Sequence, residues 1–144
     1  MKKPMLKSNK YDEIDTPLEA LNPILLHIKK DWKVWECAFG RGIMYNNLKR
    51  IGFNVVSSDV SFFEEDIDCD IIITNPPYSI KRKFIQRAFE LKKRFAFLVP
   101  LTTLEGKEAM KLFNDGKLQL IIPNKRIDFI KGSFNCLLFN LKII

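Results

Sequence analysis

Short apolar runs alternate with segments of helical periodicity along most of this chain. The predicted strands are apolar or alternating runs bounded by turn residues, and they cover 33–37, 54–59, 69–74, 94–100, 118–123, 126–130 and 134–144. Apolar residues that recur every three or four positions predict helices over 16–30, 43–52, 79–93 and 103–116. Alternating strands and helices predict an α/β fold with a mostly parallel seven-stranded sheet and helices on both faces.

Local signals mark several of the predicted boundaries. Thr16 is a candidate N-cap followed by Pro17 at the first helical position, and Asn22-Pro23 offers a second helix start. Gly106 is expected to interrupt the helix over 103–116. The last two strands follow each other without a helix, which predicts an antiparallel pair at the C-terminal end of the chain.

Length and composition indicate one folded domain. The 144 residues suit a single domain over 1–144, and 47% hydrophobic residues are enough for a core. No apolar run is long enough to span a bilayer, and residues 1–15 lack the apolar middle of a signal peptide. We therefore expect a mobile start over 1–11, no membrane partner, and a cytoplasmic location in a bacterium or a virus-infected cell.

The cysteines and the single histidine argue against metal and disulfide chemistry. Cys37, Cys69 and Cys136 are far apart and odd in number, so we interpret them as small buried apolar residues. His27 lies in a Leu-rich helical stretch, where a packing or surface role is expected. We predict no metal site.

Positive charge is concentrated in the second half of the chain. The net charge is +7, yet residues 1–72 carry 10 Lys and Arg against 12 Asp and Glu, a net of −2. Residues 73–144 carry 14 against 5, a net of +9. This asymmetry favours a polyanionic substrate, nucleic acid first, over the alternative of solvated helix faces.

Four features with chemical potential follow the predicted strands. Ligands of open α/β sheets bind outside the carboxyl ends of the strands, so these features are expected to converge. In chain order they are the glycine loop Glu36–Gly42, the acid Asp59, the loop Asn75-Pro76-Pro77-Tyr78, and the basic run Lys81-Arg82-Lys83. The glycines allow close backbone approach to a ligand, and an acid like Asp59 commonly binds ribose hydroxyls.

The loop Asn75–Tyr78 is the most specific of these features. Two prolines fix their φ angles and donate no hydrogen bond, so the loop is stiff and backbone carbonyls are left free. The Asn75 side chain and one carbonyl can then both accept hydrogen bonds from one exocyclic NH2 group, which keeps its nitrogen lone pair available for attack. Tyr78 offers a ring on which a planar base can stack. A simple strand terminator would not need both the Asn and the Tyr.

From about Asp15 to Leu141, these motifs resemble the S-adenosylmethionine-dependent amino-methyltransferases, especially the adenine-N6 DNA methyltransferases. The resemblance implies a single-domain, Rossmann-like class I methyltransferase fold with S-adenosylmethionine as cofactor. The residues it implies at the cofactor are Asp15, Thr16, Pro17, Glu36, Cys37, Ala38, Phe39, Gly40, Gly42, Asp59, Val60 and Asn75. The implied catalytic residues are Asn75, Pro76, Pro77 and Tyr78. The nucleic-acid contacts that we predict are Lys81, Arg82, Lys83, Arg87, Lys125 and Arg126.

The sequence also departs from the family pattern. Glu36-Cys37-Ala38 replaces the usual start of the cofactor loop, Asp-Pro, and the acid near the cofactor adenine is Asp66, Glu65 or neither. The chain is short for a separate target-recognition domain, which implies low sequence specificity, a short site, a homodimer or a separate specificity subunit. Similar loops occur in enzymes that methylate RNA adenine, the cytosine amino group or the glutamine of release factors.

The resemblance predicts methyl transfer to the exocyclic amino group of adenine, in DNA rather than RNA. The alternatives are an RNA adenine-N6 methyltransferase and a non-catalytic subunit that binds S-adenosylmethionine.

Overall fold

The protein is described from a computed structural model that covers residues 18–58, 61–114, 118–122, 127–129, 132–134 and 136–140. The predicted helix cap Thr16 and the predicted mobile start over 1–11 lie outside the described residues. The predicted single domain over 1–144 stays a prediction.

The described residues form eight strands, close to the predicted positions. Their bounds are β1 Lys33–Glu36, β2 Asn54–Ser57, β3 Ile71–Thr74, β4 Arg94–Val99, β5 Gln119–Ile121, β6 Ile127–Phe129, β7 Gly132–Phe134 and β8 Cys136–Asn140. Six of them build one sheet in the order β2-β1-β3-β4-β8-β5, in which β1 to β4 pair in parallel.

The C-terminal strands differ from the prediction. The predicted strand over 134–144 is divided between β7 and β8. β6 and β7 pair antiparallel as a separate two-stranded ladder, whereas β8 inserts antiparallel between β4 and β5. Within the described residues the predicted seven-stranded sheet is therefore six strands and a hairpin.

In the described part of the chain, four α-helices lie where helical periodicity predicts them, with shorter bounds. They are α1 Asn22–Leu25, α2 Ile43–Ile51, α3 Lys81–Glu90 and α4 Lys107–Asn114. Gly106 separates α4 from a 3-10 turn over Leu101–Leu104 because it adopts a φ of +91°. No helix in the described part of the chain has the length and apolarity needed to cross a bilayer.

The sheet separates two apolar cores, because successive strand residues point to opposite faces. Ile71 and Ile73 of β3 pack with α1 and α2 on one face, while Ile72 packs with α3 on the other. Phe84 of α3 stacks on Phe62 with ring centroids 4.9 Å apart, and Phe62 meets Trp35 edge-on at 5.3 Å. Helices on both faces are thus confirmed, and each aromatic pair adds about 0.5–1.5 kcal/mol beyond the burial of its surface.

The strand order fixes where a ligand can bind. β2 lies on one side of β1 and β3 lies on the other, so the direction of sheet growth reverses between β1 and β3. The connections leave a crevice at such a reversal, outside the carboxyl ends of the strands. Glu36 ends β1 and Thr74 ends β3, so both lie at this crevice.

Candidate active site

A tight glycine turn leads from β1 into α2. The amide of Gly42 donates to the carbonyl of Phe39 at 2.8 Å, and Gly40 and Gly42 adopt φ angles of +54° and +80°. A Cβ atom built on Gly42 would lie 2.7 Å from Cζ of Phe39, which is closer than real Cβ contacts come. Gly42 therefore has both a conformational and a steric reason to be glycine. The backbone amides at the start of α2 face the crevice as potential hydrogen-bond donors.

Glu36 is a buried carboxylic acid at the centre of the site. Its side chain is 2% exposed, and its Oε1 atom accepts a hydrogen bond from the Ala38 amide at 2.8 Å. The same oxygen accepts a short hydrogen bond from the Thr74 hydroxyl. One oxygen atom thus joins the glycine turn to the residue that precedes Asn75.

Burial sets the protonation state of the groups around Glu36. It raises the pKa of the Glu36 carboxyl from 4.5 to about 8, although the hydrogen bonds from Thr74 and Ala38 act in the opposite direction. Burial and the neighbouring Glu36 also raise the pKa of the Cys37 thiol well above its ordinary value. Both groups are therefore mostly neutral at pH 7, and a cation placed beside Glu36 would favour its ionised form.

The loop Asn75–Tyr78 leaves the carboxyl end of β3 as predicted. Pro76 is buried, and Asn75, Pro77 and Tyr78 are half-buried. The Pro77 carbonyl accepts the Ile80 amide at 3.1 Å and closes a 3-10 turn over Tyr78–Ile80. Of the two proline carbonyls that we expected to be free, the one of Pro77 is thus used by the protein itself.

Asn75 and Tyr78 are held against the rest of the domain. The amide oxygen of Asn75 and the hydroxyl oxygen of Tyr78 are buried, and the Tyr78 ring packs against the core that contains Ile71 and Ile73. The position of both side chains is therefore fixed by packing as well as by the prolines. Part of the Tyr78 ring stays exposed because the residue is only half-buried.

Two of the predicted phosphate contacts also hold local structure. The ammonium group of Lys81 lies 3.4 Å from the Tyr78 carbonyl. The guanidinium of Arg82 donates to the Glu105 carbonyl at 3.0 Å and so ties α3 to the segment after β4. Lys83 is exposed on the first turn of α3. These three cations follow the Asn75 loop directly, as the sequence indicates.

Arg87 has a different environment from the one we predicted. Its guanidinium donates to the carbonyls of Phe62 and Glu65 at 3.4 and 3.3 Å, and it lies 3.8 Å from the Glu90 carboxylate. Its side chain is only 22% exposed. Arg87 therefore fastens the segment after β2 to α3, and its contact with nucleic acid stays a prediction.

Several predicted site residues lie outside the described residues. They are Asp15, Thr16, Pro17, Asp59, Val60, Lys125 and Arg126. Of the two open choices for the acid at the cofactor adenine, the Asp66 carboxylate pairs with Lys93 at 3.0 Å. Lys93 directly precedes β4, so this contact places Asp66 near the amino ends of the parallel strands. Glu36 lies at their carboxyl ends.

Thr74 was not among the residues predicted to form the site. Its hydroxyl is fully buried and joins Glu36, which lies 38 positions earlier in the chain. The available signal was a hydroxyl at the end of the otherwise apolar run over 71–74, directly before Asn75. Buried polar groups need hydrogen-bond partners, so this residue pointed to a polar neighbour at the crevice.

Comparison with known proteins identifies the family. The sequence model of the family described as "Adenine-specific methyltransferase EcoRI" matches residues 40–130, which include Gly42 and the Asn75 loop. The chain belongs to this family of methyltransferases. The type II methyltransferase M.EcoRI of Escherichia coli is 27% identical over 93 residues, which cover 55% of this chain and 28% of that relative. The chain thus matches little more than a quarter of the length of its curated relative.

Solved structures show the same fold at low sequence identity. The Pyrococcus horikoshii protein PH1948, described as a "putative RNA methyltransferase", aligns with a TM-score of 0.63 at 16% identity, covering 99% of this chain and 94% of its own. The 23S rRNA methyltransferase ErmE aligns with a TM-score of 0.64 at 10% identity, covering 90% and 70%. The predicted class I methyltransferase fold is confirmed. Membership of the methyltransferase family supports S-adenosylmethionine as the cofactor.

The geometry of the site fits this cofactor. S-adenosylmethionine carries an ammonium and a sulfonium group, both of them positively charged. Glu36 offers a buried carboxyl, and no cation among the described residues contributes to its pKa. Gly42 adopts a φ of +80° that favours glycine, and a glycine leaves the backbone of the turn open to close approach. The Asn75 loop lies beside this turn through the Glu36–Thr74 hydrogen bond. The glycine turn and the Asn75 loop therefore meet at one crevice.

Proposed function

We propose that this protein transfers a methyl group from S-adenosylmethionine to the exocyclic N6 amino group of adenine in DNA. The observation that carries the proposal is the Thr74–Glu36 hydrogen bond, which holds the Asn75 loop directly against the cofactor turn. A methyl donor and a planar amine held at those two places would be neighbours, as in-line transfer requires.

The chain's own residues divide the work of binding the cofactor. We propose that Glu36 faces the cationic amino-acid part of the cofactor. We also propose that the cofactor lies close to the backbone of the turn over Phe39–Gly42. When bound, the cofactor supplies an electrophilic methyl group on a sulfonium centre. Asp59, which the resemblance implies at the cofactor ribose, and Asp15–Pro17, which it implies as an N-terminal cofactor segment, lie outside the described residues and belong to this proposal.

Asn75 is the proposed catalytic residue for the acceptor. Its amide oxygen and the Pro76 carbonyl accept the two N–H bonds of the adenine amino group, which positions the nitrogen and its electron pair toward the methyl group. The C–N bond forms as the C–S bond breaks, the amino group then loses one proton to solvent, and S-adenosylhomocysteine leaves. Acceleration comes from positioning and electrostatics without a covalent enzyme intermediate.

A duplex substrate requires that the target adenine leave the helix. Flipping a base out of the stack costs a few kcal/mol, which stacking on an aromatic ring can offset. Tyr78 presents such a ring three residues after Asn75, and Lys81, Arg82 and Lys83 follow it within the next five positions. We propose that the base stacks on Tyr78 while these cations contact the neighbouring phosphates.

Methyl transfer from labelled S-adenosylmethionine to three polymers tests the substrate. Duplex DNA, single-stranded DNA and total RNA are incubated with the protein, and label is counted in each purified polymer. We expect most label in DNA. Label mainly in RNA would overturn the DNA assignment and support the RNA adenine alternative. No label in any polymer while the cofactor binds would contradict the proposed activity and favour a non-catalytic cofactor-binding subunit.

Lys83 provides the cleanest test of the phosphate contacts, because Lys81 and Arg82 also hold local structure. Lys83→Gln is expected to weaken DNA binding and to lower the slope of log K against log salt by about 1, since one neutralised phosphate contributes about 0.9 to that slope. The measurement is fluorescence anisotropy of labelled DNA between low and moderate salt.

Lys29→Gln is the matched control for Lys83→Gln. Lys29 is also exposed, but it precedes the amino end of β1, whereas Lys83 follows the carboxyl end of β3. The Lys29 ammonium lies 6.0 Å from the Trp32 ring. We expect the wild-type salt slope in this variant. Equal slopes for Lys83→Gln and Lys29→Gln would show that the start of α3 does not contact the DNA backbone.

A further inference from the structure

Thr74 lies at the junction of the two halves of the site. It is the last residue of β3 and precedes Asn75 directly, and its side chain is fully buried. Its hydroxyl donates to the Glu36 oxygen that also accepts the Ala38 amide. A change in the charge of that oxygen therefore alters the strength of two hydrogen bonds, one from the glycine turn and one from the residue that precedes Asn75.

We propose that Thr74 is a positioning residue through which cofactor binding beside Glu36 fixes the loop that begins at Asn75. The inference rests on the cofactor site described above and not on the identity of the methyl acceptor. In this inference, the Thr74 hydrogen bond makes the position of the Asn75 loop depend on whether the cofactor is bound. Neither the family match nor the fold implies this role for Thr74.

The charge state of Glu36 supplies the driving force. Without a ligand the carboxyl is mostly neutral at pH 7, because burial raises its pKa to about 8. Among the described residues no Lys, Arg or His contributes to this pKa, and the titratable neighbour is the Cys37 thiol, which burial keeps neutral. A cationic ligand favours the carboxylate, and a hydrogen bond to an ionised acceptor is roughly twice as strong as one between neutral groups.

The sign of the pH dependence follows from this change. Below pH 8 the free protein holds a proton on Glu36 that the complex gives up, so cofactor binding releases up to roughly one proton. The affinity for the cofactor is then expected to rise as the pH increases toward 8. The ammonium group of the cofactor also titrates near pH 8, so the comparison is made between pH 6 and 7.

Two variants separate Thr74 from Glu36. Thr74→Val keeps the shape of the side chain and removes the donated hydrogen bond, whereas Thr74→Ser keeps the hydroxyl and serves as the matched control. Glu36→Gln keeps an acceptor for Thr74 and Ala38 but cannot ionise. We expect Glu36→Gln to bind S-adenosylhomocysteine without proton release in titration calorimetry, while Thr74→Val and wild type both release roughly one proton.

Hydrogen exchange of the loop is the decisive measurement. In wild type and Thr74→Ser, S-adenosylhomocysteine is expected to slow amide exchange in peptides covering 75–81, which contain the Ile80 amide bonded to Pro77. In Thr74→Val this protection is expected to fall at least about fivefold, and kcat about tenfold, although the ligand still binds.

Each result either supports or overturns the inference. Full ligand-induced protection in Thr74→Val would overturn it and leave the proposed methyl transfer standing. If Thr74→Val does not fold, undiminished proton release by Glu36→Gln overturns it on its own. No binding of S-adenosylhomocysteine by the wild type would overturn both the inference and the proposed function.

Discussion

Asn75→Ala is expected to lower methyl transfer at least about 100-fold while the cofactor dissociation constant stays within about tenfold of wild type. The substitution removes the amide oxygen that accepts an N–H bond of the target amine, and losing one such positioned partner typically costs two to three orders of magnitude in rate. The prolines on its C-terminal side and the buried β3 before it keep the loop in place, so the cofactor turn is unchanged. Initial rates with labelled cofactor, together with calorimetric binding of S-adenosylhomocysteine, measure both quantities.

Asn54→Ala is the control for this prediction. Asn54 is exposed and begins β2 at the amino-end edge of the sheet, far from the crevice. We expect its rate to lie within about twofold of wild type, as for surface substitutions away from special features. A wild-type rate in Asn75→Ala would mean that the loop serves the fold rather than the reaction.

Gly42→Ala is expected to raise the cofactor dissociation constant at least about tenfold. The added Cβ would lie 2.7 Å from Cζ of Phe39, so the ring or the turn must move at the proposed cofactor site. The φ of +80° adds a strain of about 1–2 kcal/mol for a residue with a Cβ atom. The measurement pairs calorimetric binding with the free energy of unfolding from denaturant titration.

Gly52→Ala is the control that distinguishes backbone strain at a positive φ from damage to the proposed cofactor site. Gly52 ends α2 with a φ of +109°, and a Cβ atom there meets nothing within 4 Å. We expect a similar loss of stability, about 1–2 kcal/mol, with an unchanged cofactor dissociation constant. If both variants bind the cofactor equally well, the turn at Gly42 is not part of the cofactor site.

The predictions from sequence were accurate where structure is local. The apolar run of β3 and the periodicity of α2 and α3 gave the elements within a few residues, because burial and periodicity act over neighbouring positions. They could not give the pairing of β8 between β4 and β5, because strands choose partners that are distant in sequence. The short ladder of β6 and β7 shows the same limit.

The candidate site shows this division as well. The proline pair after β3 predicted a stiff loop for the methyl acceptor, and the glycine turn predicted a close approach of a ligand to the backbone. Nothing in the sequence paired Glu36 with Thr74, whose contact spans 38 positions and depends on the parallel packing of β1 and β3. The helical periodicity placed Arg87 outside the buried stripe of its helix, but it could not show that its guanidinium bonds backbone carbonyls of a segment more than 20 positions earlier.

Nucleoside analysis of methylated DNA tests the central claim most directly. DNA that has reacted with labelled S-adenosylmethionine is digested to nucleosides, which are separated and identified by mass spectrometry. The account predicts that the label resides in N6-methyladenine, since the proposed role of Asn75 and the Pro76 carbonyl is to hold an exocyclic amino group. Label on a ring position, such as N1 of adenine or C5 of cytosine, would contradict it, because no amino group would then be the acceptor.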